Sequence, residues 1–300
     1  MFERIAIPLD GSPLGELAVP WAVEIASAFQ SEVYVISVSE GAHVEDLNMR
    51  QTYLEHQTSL INQQISTRVS NDLSQSKAKS VFMEGDPASL IIRYTEINDI
   101  SLVILVSHGR SGIMPWPMGS TAARILNQES RPILFLRARK LPEQAVPLFN
   151  KVMVALDGSA RGEEIIPYIK TLVSRIKSRV IFFHTVTSSY EVTTIGGITS
   201  LPVPKIELER KKREAVEYLE ELKTGFPTAV ECVVCQGTPI NEIMKYADEE
   251  HVSLIAITSR GETKSTDWRF GAIAYKLLHS APQPVLLVKT TMDTVTLGKL

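Results

Sequence analysis

Three hundred residues, 44% hydrophobic and 22% charged, describe an ordinary globular chain with room for about two domains. A formal net charge of −3 argues against a nucleic-acid footprint, and apolar runs such as Ser101 to Val106 are far too short to span a membrane. The start, MFERIAIPLDGS, has no basic segment ahead of a long apolar core, so the expected location is the cytoplasm.

The first predicted strand, Ile5 to Leu9, runs through Asp10-Gly11-Ser12 into an amphipathic helix. A second strand, Val33 to Val38, is followed by a variable loop over Gly41 to Tyr53 and a long polar helix ending near Asp72. The third strand, Ser80 to Glu84, reaches the turn Gly85-Asp86-Pro87, where proline opens a short helix. The fourth, Leu102 to Val106, enters the glycine-rich stretch VSHGRSGIMPWPMGSTAARIL and another helix, and the last is Ile133 to Leu136.

The chain then starts again. NKVMVALDGSARGEEIIPYIKTLV repeats ERIAIPLDGSPLGELAVPWAVEIA, with Asp157-Gly158-Ser159 lying 147 residues beyond Asp10-Gly11-Ser12. Gly237-Thr238-Pro239, Gly261 and Trp268 lie 152 residues beyond Gly85-Asp86-Pro87, Gly109 and Trp116. Five extra residues are therefore expected in the loop Ser188 to Pro204. The second set of strands is Val152 to Leu156, Val180 to Val186, Ala229 to Gln236, Leu254 to Thr258 and Val285 to Val288, with a long polar helix ending near Lys223. The expected domains are 1–140 and 150–291, joined by a proline-containing linker, 141–149.

The only cysteines, Cys232 and Cys235, fall on one of these strands. Their spacing there places the side chains on opposite faces, which reads as inert, buried thiols rather than a redox or zinc pair. The basic cluster Arg210 to Arg213, set among Glu207, Glu209 and Glu214, reads as a solvated helix face.

Short, continuously apolar strands alternating with helices indicate α/β domains, each with a parallel sheet covered on both faces. Ligands in such sheets bind beyond the carboxyl ends of strands. Asp10 ends strand one and Ser107-His108-Gly109 ends strand four, so both face one crevice if those strands are neighbours. Neither G-x-G-x-x-G nor G-x-x-x-x-G-K-[ST] is present, which excludes an ordinary dinucleotide fold and a P-loop.

Strand-Asp-Gly-Ser, Gly-x-Pro midway and S-H-G-x9-G-S before a helix resemble the universal stress protein family, here as a tandem pair covering nearly the whole chain. The resemblance implies flavodoxin-like five-stranded parallel sheets of order 3-2-1-4-5, and in some members ATP binding through G-x2-G-x9-G-[ST]. It places the ligand, with or without Mg, against Pro8, Asp10, Ser37, Val38, His108, Gly109, Arg110, Gly112, Gly119, Ser120 and Thr121. Asp10 would take a ribose hydroxyl or a metal-bridged phosphate, and the backbone near Ser37 and Val38 would meet the base. The chemistry of the loop agrees. Gly109, Gly112 and Gly119 let amides approach a phosphate, Ser120 and Thr121 stand at a helix N-terminus, and Arg110 adds a charged fork. Alternatively, the glycines only permit the turn and Ser120 caps the helix. Val106 replaces the motif's first glycine, and Pro115 and Pro117 remove two loop amides.

In the second copy Glu262, Lys264, Ala272 and Ile273 replace Arg110, Gly112, Ser120 and Thr121. Asp157, Gly261 and Gly271 persist as weak candidates, and no cofactor is expected there. The function implied is nucleotide binding in the first domain with a signalling or protective role. The alternatives are a ligand-independent scaffold or a slow ATPase. No catalytic constellation stands out. The final strands, Ile133 to Leu136 and Val285 to Val288, are expected to make an intramolecular pseudo-dimer or a homodimer.

Overall fold

Three consecutive residues of the first strand, Ile5, Ala6 and Ile7, are each fully buried, and so are Val152, Met153 and Val154 of its repeat. Neighbouring residues of a strand point to opposite faces, so these strands are covered on both sides. Each fully buried Val or Ile contributes about 1.5–3 kcal/mol relative to exposure, which makes these strands the anchors of the fold.

The computed structural model describes residues 1–41, 44–68, 77–108, 118–138, 147–194, 197–261 and 270–290. It divides into two units, Met1–Leu148 with Pro284–Leu300, and Phe149–Gln283. Unit 1 contains β1 (Arg4–Pro8), α1 (Val19–Phe29), β2 (Glu32–Ser39), α2 (Val44–Arg68), β3 (Ala78–Glu84), α3 (Pro87–Ile97), β4 (Leu102–Val106), α4 (Ser120–Gln128) and β5 (Ile133–Leu136). Its strands pair in parallel in the order β3-β2-β1-β4-β5.

Unit 2 contains β6 (Lys151–Leu156), α5 (Ala160–Glu163), α6 (Ile166–Arg175), β7 (Arg179–Val186), β8 (Ser189–Thr194), β9 (Gly197–Pro202), α7 (Lys205–Lys223), β10 (Val230–Gln236), α8 (Pro239–Glu249), β11 (Leu254–Thr258) and α9 (Ala272–Ser280). Its parallel sheet runs β10-β7-β6-β11, the same order for the first four strands of the repeat. The last strand, β12 (Val285–Val288), belongs to unit 1, where it runs antiparallel to β5 with Leu286 opposite Leu134.

Local chemistry explains the helix starts. Asp86 caps α3 by accepting from the Ser89 amide at 2.9 Å, and Pro87 fills the first helical position. Gly85 precedes them at φ +137°, a conformation that strains a side chain. On α7, Arg210 pairs with Glu214 at 2.6 Å and Lys212 with Glu209 at 3.2 Å, forming the solvated ladder its sequence indicates.

Three expectations are corrected. The stretch 188–204 is not a plain loop but holds the antiparallel hairpin β8–β9. Its sequence has β-branched runs on either side of Gly196-Gly197, which is a hairpin signal. The supposed loop 41–53 is already helix from Val44 onward. Cys232 and Cys235 lie on β10 as free thiols, but half-buried rather than buried. Burial, with Glu220 beside it, still pushes the Cys232 thiol up to about 11. No described helix is long and apolar enough to cross a membrane.

Candidate functional site

The chain leaves β1 through a turn built by its own side chains. Asp10 Oδ1 accepts from the Ser12 amide at 3.1 Å and the Ser12 hydroxyl at 2.6 Å, and Ser12 Oγ accepts from the Gly15 amide at 3.1 Å. Gly11, at φ +82°, supplies the left-handed step. A Cβ on Gly15 would come within 3.1 Å of Asp10 Oδ1, so Gly15 lets the carboxylate lie across the turn. The unit is therefore Asp-Gly-Ser-x-x-Gly, three residues longer than Asp-Gly-Ser alone.

The following residue, Glu16, extends this network. Its Oε1 accepts from the Tyr53 hydroxyl at 2.9 Å and from Gln57 Nε2 at 3.1 Å, docking α2 beside the turn. Burial and Glu16 hold the Tyr53 hydroxyl far above its ordinary range, so it remains a proton donor. In unit 2 burial and Glu163 likewise raise the Tyr218 phenol, whose buried hydroxyl makes no hydrogen bond among the described residues.

Opposite the turn, β4 ends at Ser107, which is fully buried. Its amide donates to the Leu136 carbonyl at 2.8 Å, and its carbonyl accepts from the Gly119 amide at 2.8 Å. Its hydroxyl accepts from the Ala138 amide at 2.9 Å and lies 3.0 Å from His108 Nδ1. Ser107 thus ties the ends of β4 and β5 to the start of α4.

Gly119 is the N-cap of α4, at φ −68° and ψ 153°, and makes no side-chain cap bond. This corrects the capping alternative for Ser120, which occupies the first helical position and is exposed. The first-turn amides consequently receive no acceptor from the cap residue, which leaves them suited to an outside anion.

Between these parts lies a cavity of about 190 Å³. Pro8, Asp10, Val38, His108, Gly119, Ser120 and Thr121 line it. Ser37 does not. It is buried on the other side of the pleat, between Ile36 and Val38, which do line the cavity. Gly109, Arg110 and Gly112 lie outside the described residues, as do Pro115, Trp116, Pro117, Glu262, Lys264 and Trp268.

The sequence reading missed the apolar wall formed by Ile36, Ile91, Leu105, Val106 and Ile125. Their signal was present but ordinary, since strand ends and helix faces are apolar for packing as well. The cavity joins this wall to a polar end carrying Asp10, Ser107, His108, Ser120 and Thr121. Next to Pro87, Arg124 of α4 grips Asp86 with two hydrogen bonds of 2.6 and 2.9 Å, and this contact holds the Asp86 carboxyl well below its usual range. The pair is solvent-exposed, so it contributes little to stability.

The turn of unit 2 matches closely. Asp157 Oδ1 accepts from Ser159 N at 3.1 Å and Oγ at 2.6 Å, Ser159 Oγ accepts from Gly162 N at 3.0 Å, and Gly158 has φ +81°. Gly271 caps α9 as Gly119 caps α4, with its amide on the Ser259 carbonyl at 2.8 Å. Asp157 packs so closely on Gly261 that a Cβ there would fall 1.7 Å from Oδ2. Among the described residues, no cluster of three or more His, Cys, Asp or Glu in either unit is placed to hold a metal ion.

A family model described as the universal stress protein family matches the chain twice, over residues 1–137 and 148–289. Universal stress protein YxiE of Bacillus subtilis is 28% identical over 148 residues, covering 47% of this chain and all of that protein. Universal stress protein MJ0531 of Methanocaldococcus jannaschii is 26% identical over 149 residues, covering 47% of this chain and 85% of that protein. The crystal structure of a universal stress protein from Archaeoglobus fulgidus superposes with a TM-score of 0.69 at 19% identity, covering 96% of this chain and 99% of that one.

Proposed function

The chain belongs to the universal stress protein family in both of its repeats, and from that premise we propose that unit 1 binds ATP while unit 2 does not. The protein then acts as a nucleotide-dependent signalling or protective factor in the stress response rather than as a metabolic enzyme. The observation that carries this reading is the cavity at the ends of β1 and β4, where Asp10 faces Gly119, Ser120 and Thr121 across an apolar wall.

Each part has a physical role in that reading. The base lies against Ile36, Val38, Ile91 and Leu105, where burial of an aromatic ring is favourable. The phosphates meet the first turn of α4, whose amides and dipole favour anions and whose cap brings no competing side chain. Ser120 and Thr121 add hydroxyl donors, and His108 adds a ring nitrogen at the same end. Asp10, oriented by Ser12, takes a ribose hydroxyl or shares a Mg ion with the phosphates.

In unit 2 the hydroxyls are replaced by Ala272 and Ile273. Calorimetry with ATP and Mg on the full chain tests the main proposal, with close to one nucleotide bound per chain as the expected result. Two equal sites, or none, would refute it.

A further inference from the structure

Glu129 closes the C-terminal end of α4 and has no exposed surface. Its carboxylate accepts from Thr95 Oγ1 at 2.5 Å, from the amides of Ser130 and Arg131 at 2.9 and 3.0 Å, and from Arg131 Nη1 at 3.3 Å. Two general rules oppose a carboxylate at this place. Buried charge is costly unless fully compensated, and a helix C-terminus already carries partial negative charge. Arg131 and the two amides compensate the charge, but the carboxylate still stands against the helix dipole, and that exception calls for a reason, since such exceptions concentrate at functional sites.

Folding is not that reason, because unit 2 provides an internal control. Helix α9 starts at Gly271 with φ −64° and ψ 154°, close to Gly119, and ends at Ala281 with φ −66° and ψ 132°. Glu129 has φ −65° and ψ 134°, so the two helix ends share one backbone geometry. Where unit 1 has Thr95 and Glu129, unit 2 has the buried pair Ala247 and Ala281, and Gln283 stands for Arg131. The same helix end therefore closes without the carboxylate.

Unit 1 holds α4 at further points. Arg124 grips Asp86 near its start, and Lys289 Nζ donates to the Leu126 carbonyl at 2.8 Å near its end. The counterparts of Arg124 and Asp86 are Lys276 and Thr238. Helices α3 and α4 both line the cavity, α3 through Pro87 and Ile91, α4 through Ser120, Thr121 and Ile125. A slip between them would change the cavity's width and move the anion cradle relative to Asp10.

We infer that Thr95 and Glu129 are positioning residues for the ligand: they lock α4 to α3 at the end remote from the cavity, so that Gly119 to Thr121 stay in register with Asp10. This inference rests on the ATP reading for its purpose but not for its test. The variant Thr95→Ala with Glu129→Ala copies the pair that unit 2 already uses, and it is made in the full chain.

The expected result is a folded protein whose affinity for ATP with Mg falls about tenfold by calorimetry. Hydrogen exchange at the Ala123 to Gln128 amides of the ligand-free protein should accelerate about tenfold, while α9 amides stay unchanged. Glu129→Gln, which can still accept from both amides, should stay within about threefold of the parent affinity. Unchanged exchange in α4 overturns the inference, and so does acceleration shared equally by α9, which marks a general loss of stability. If the parent chain binds no ATP, the functional reading fails, while the ligand-free exchange still decides whether the pair locks α4. If the double variant does not fold, Thr95→Val removes the hydroxyl at nearly constant volume, and the α4 amides are read in the same way.

Discussion

The two Asp-Gly-Ser turns agree in every hydrogen bond to within 0.1 Å, yet the surfaces facing them have diverged. In unit 1 the carboxylate of Asp10 borders a cavity whose far side presents Ser120 and Thr121. In unit 2 the helix start opposite the corresponding carboxylate is Ala272-Ile273. What the units share therefore belongs to the fold: the turn, the glycine N-cap and the serine carbonyl that holds it. What only unit 1 keeps is what a ligand would require. Asp157 shows that an acidic residue at this turn persists where the opposite helix start lacks the hydroxyls.

The sharpest way to break this comparison is to remove the carboxylate from each unit in turn. Asp10→Ala should weaken ATP binding at least about 100-fold, or about 2.7 kcal/mol, since a charged hydrogen bond and any metal contact go together. Asp157→Ala should leave stoichiometry and affinity unchanged in the same calorimetric titration. Equal losses from both would mean that unit 2 takes part in binding.

The next effect concerns stability. Gly261→Ala forces Asp157 away from its place while Ser159 holds its Oδ1, and should cost about 2 kcal/mol in chemical denaturation. Gly119→Ala places its Cβ 3.5 Å from the Ser107 carbonyl, an ordinary contact at an ordinary φ, and should cost only about 0.5–1 kcal/mol, because alanine is a poorer N-cap than glycine. The two loop glycines thus answer to different needs, Gly261 to a close approach and Gly119 to no steric demand within the described residues.

A smaller effect comes from grafting. Ser120→Ala with Thr121→Ile gives unit 1 the helix start of unit 2 and should lower ATP affinity about tenfold, or about 1.4 kcal/mol, with no change in the unfolding midpoint without ligand. A midpoint that falls together with the affinity would assign the hydroxyls to folding instead.

Most of the fold was legible because it is written in local runs. The apolar segments Leu102 to Val106 and Leu254 to Thr258 match β4 and β11 residue for residue, and the repeat makes each assignment twice. Polar long-range pairs were not legible in the same way. Tyr53 meets Glu16 across 37 residues, Thr95 meets Glu129 across 34, and Lys289 meets Leu126 across 163. Tyr, Glu, Thr and Lys at those positions look like any solvated residue until the helices are packed. The start of α2 was missed for a related reason, because its stretch 44–53 is too polar for the apolar period to separate helix from loop.

The cysteines offer the finest test, because both lie on β10 and unit 1 has none. Thiol labelling therefore reports on unit 2 alone. Burial and Glu220 raise the Cys232 pKa to about 11, so little thiolate exists at pH 8 and alkylation should be slow, rising with pH toward that value. The sign for stability follows. A thiol whose pKa is higher folded than unfolded contributes stability below the unfolded value, and that contribution fades as pH climbs through about 11. ATP at 100 times its Kd should stabilise unit 1 by about 2.7 kcal/mol. If the units are as independent as their sites are unlike, the labelling rate at fixed pH should change less than about twofold on adding ATP. A rate that falls as steeply as unit 1 is stabilised would mean that the two repeats open as one cooperative body, and unit 2 would then read the ligand through stability without binding it.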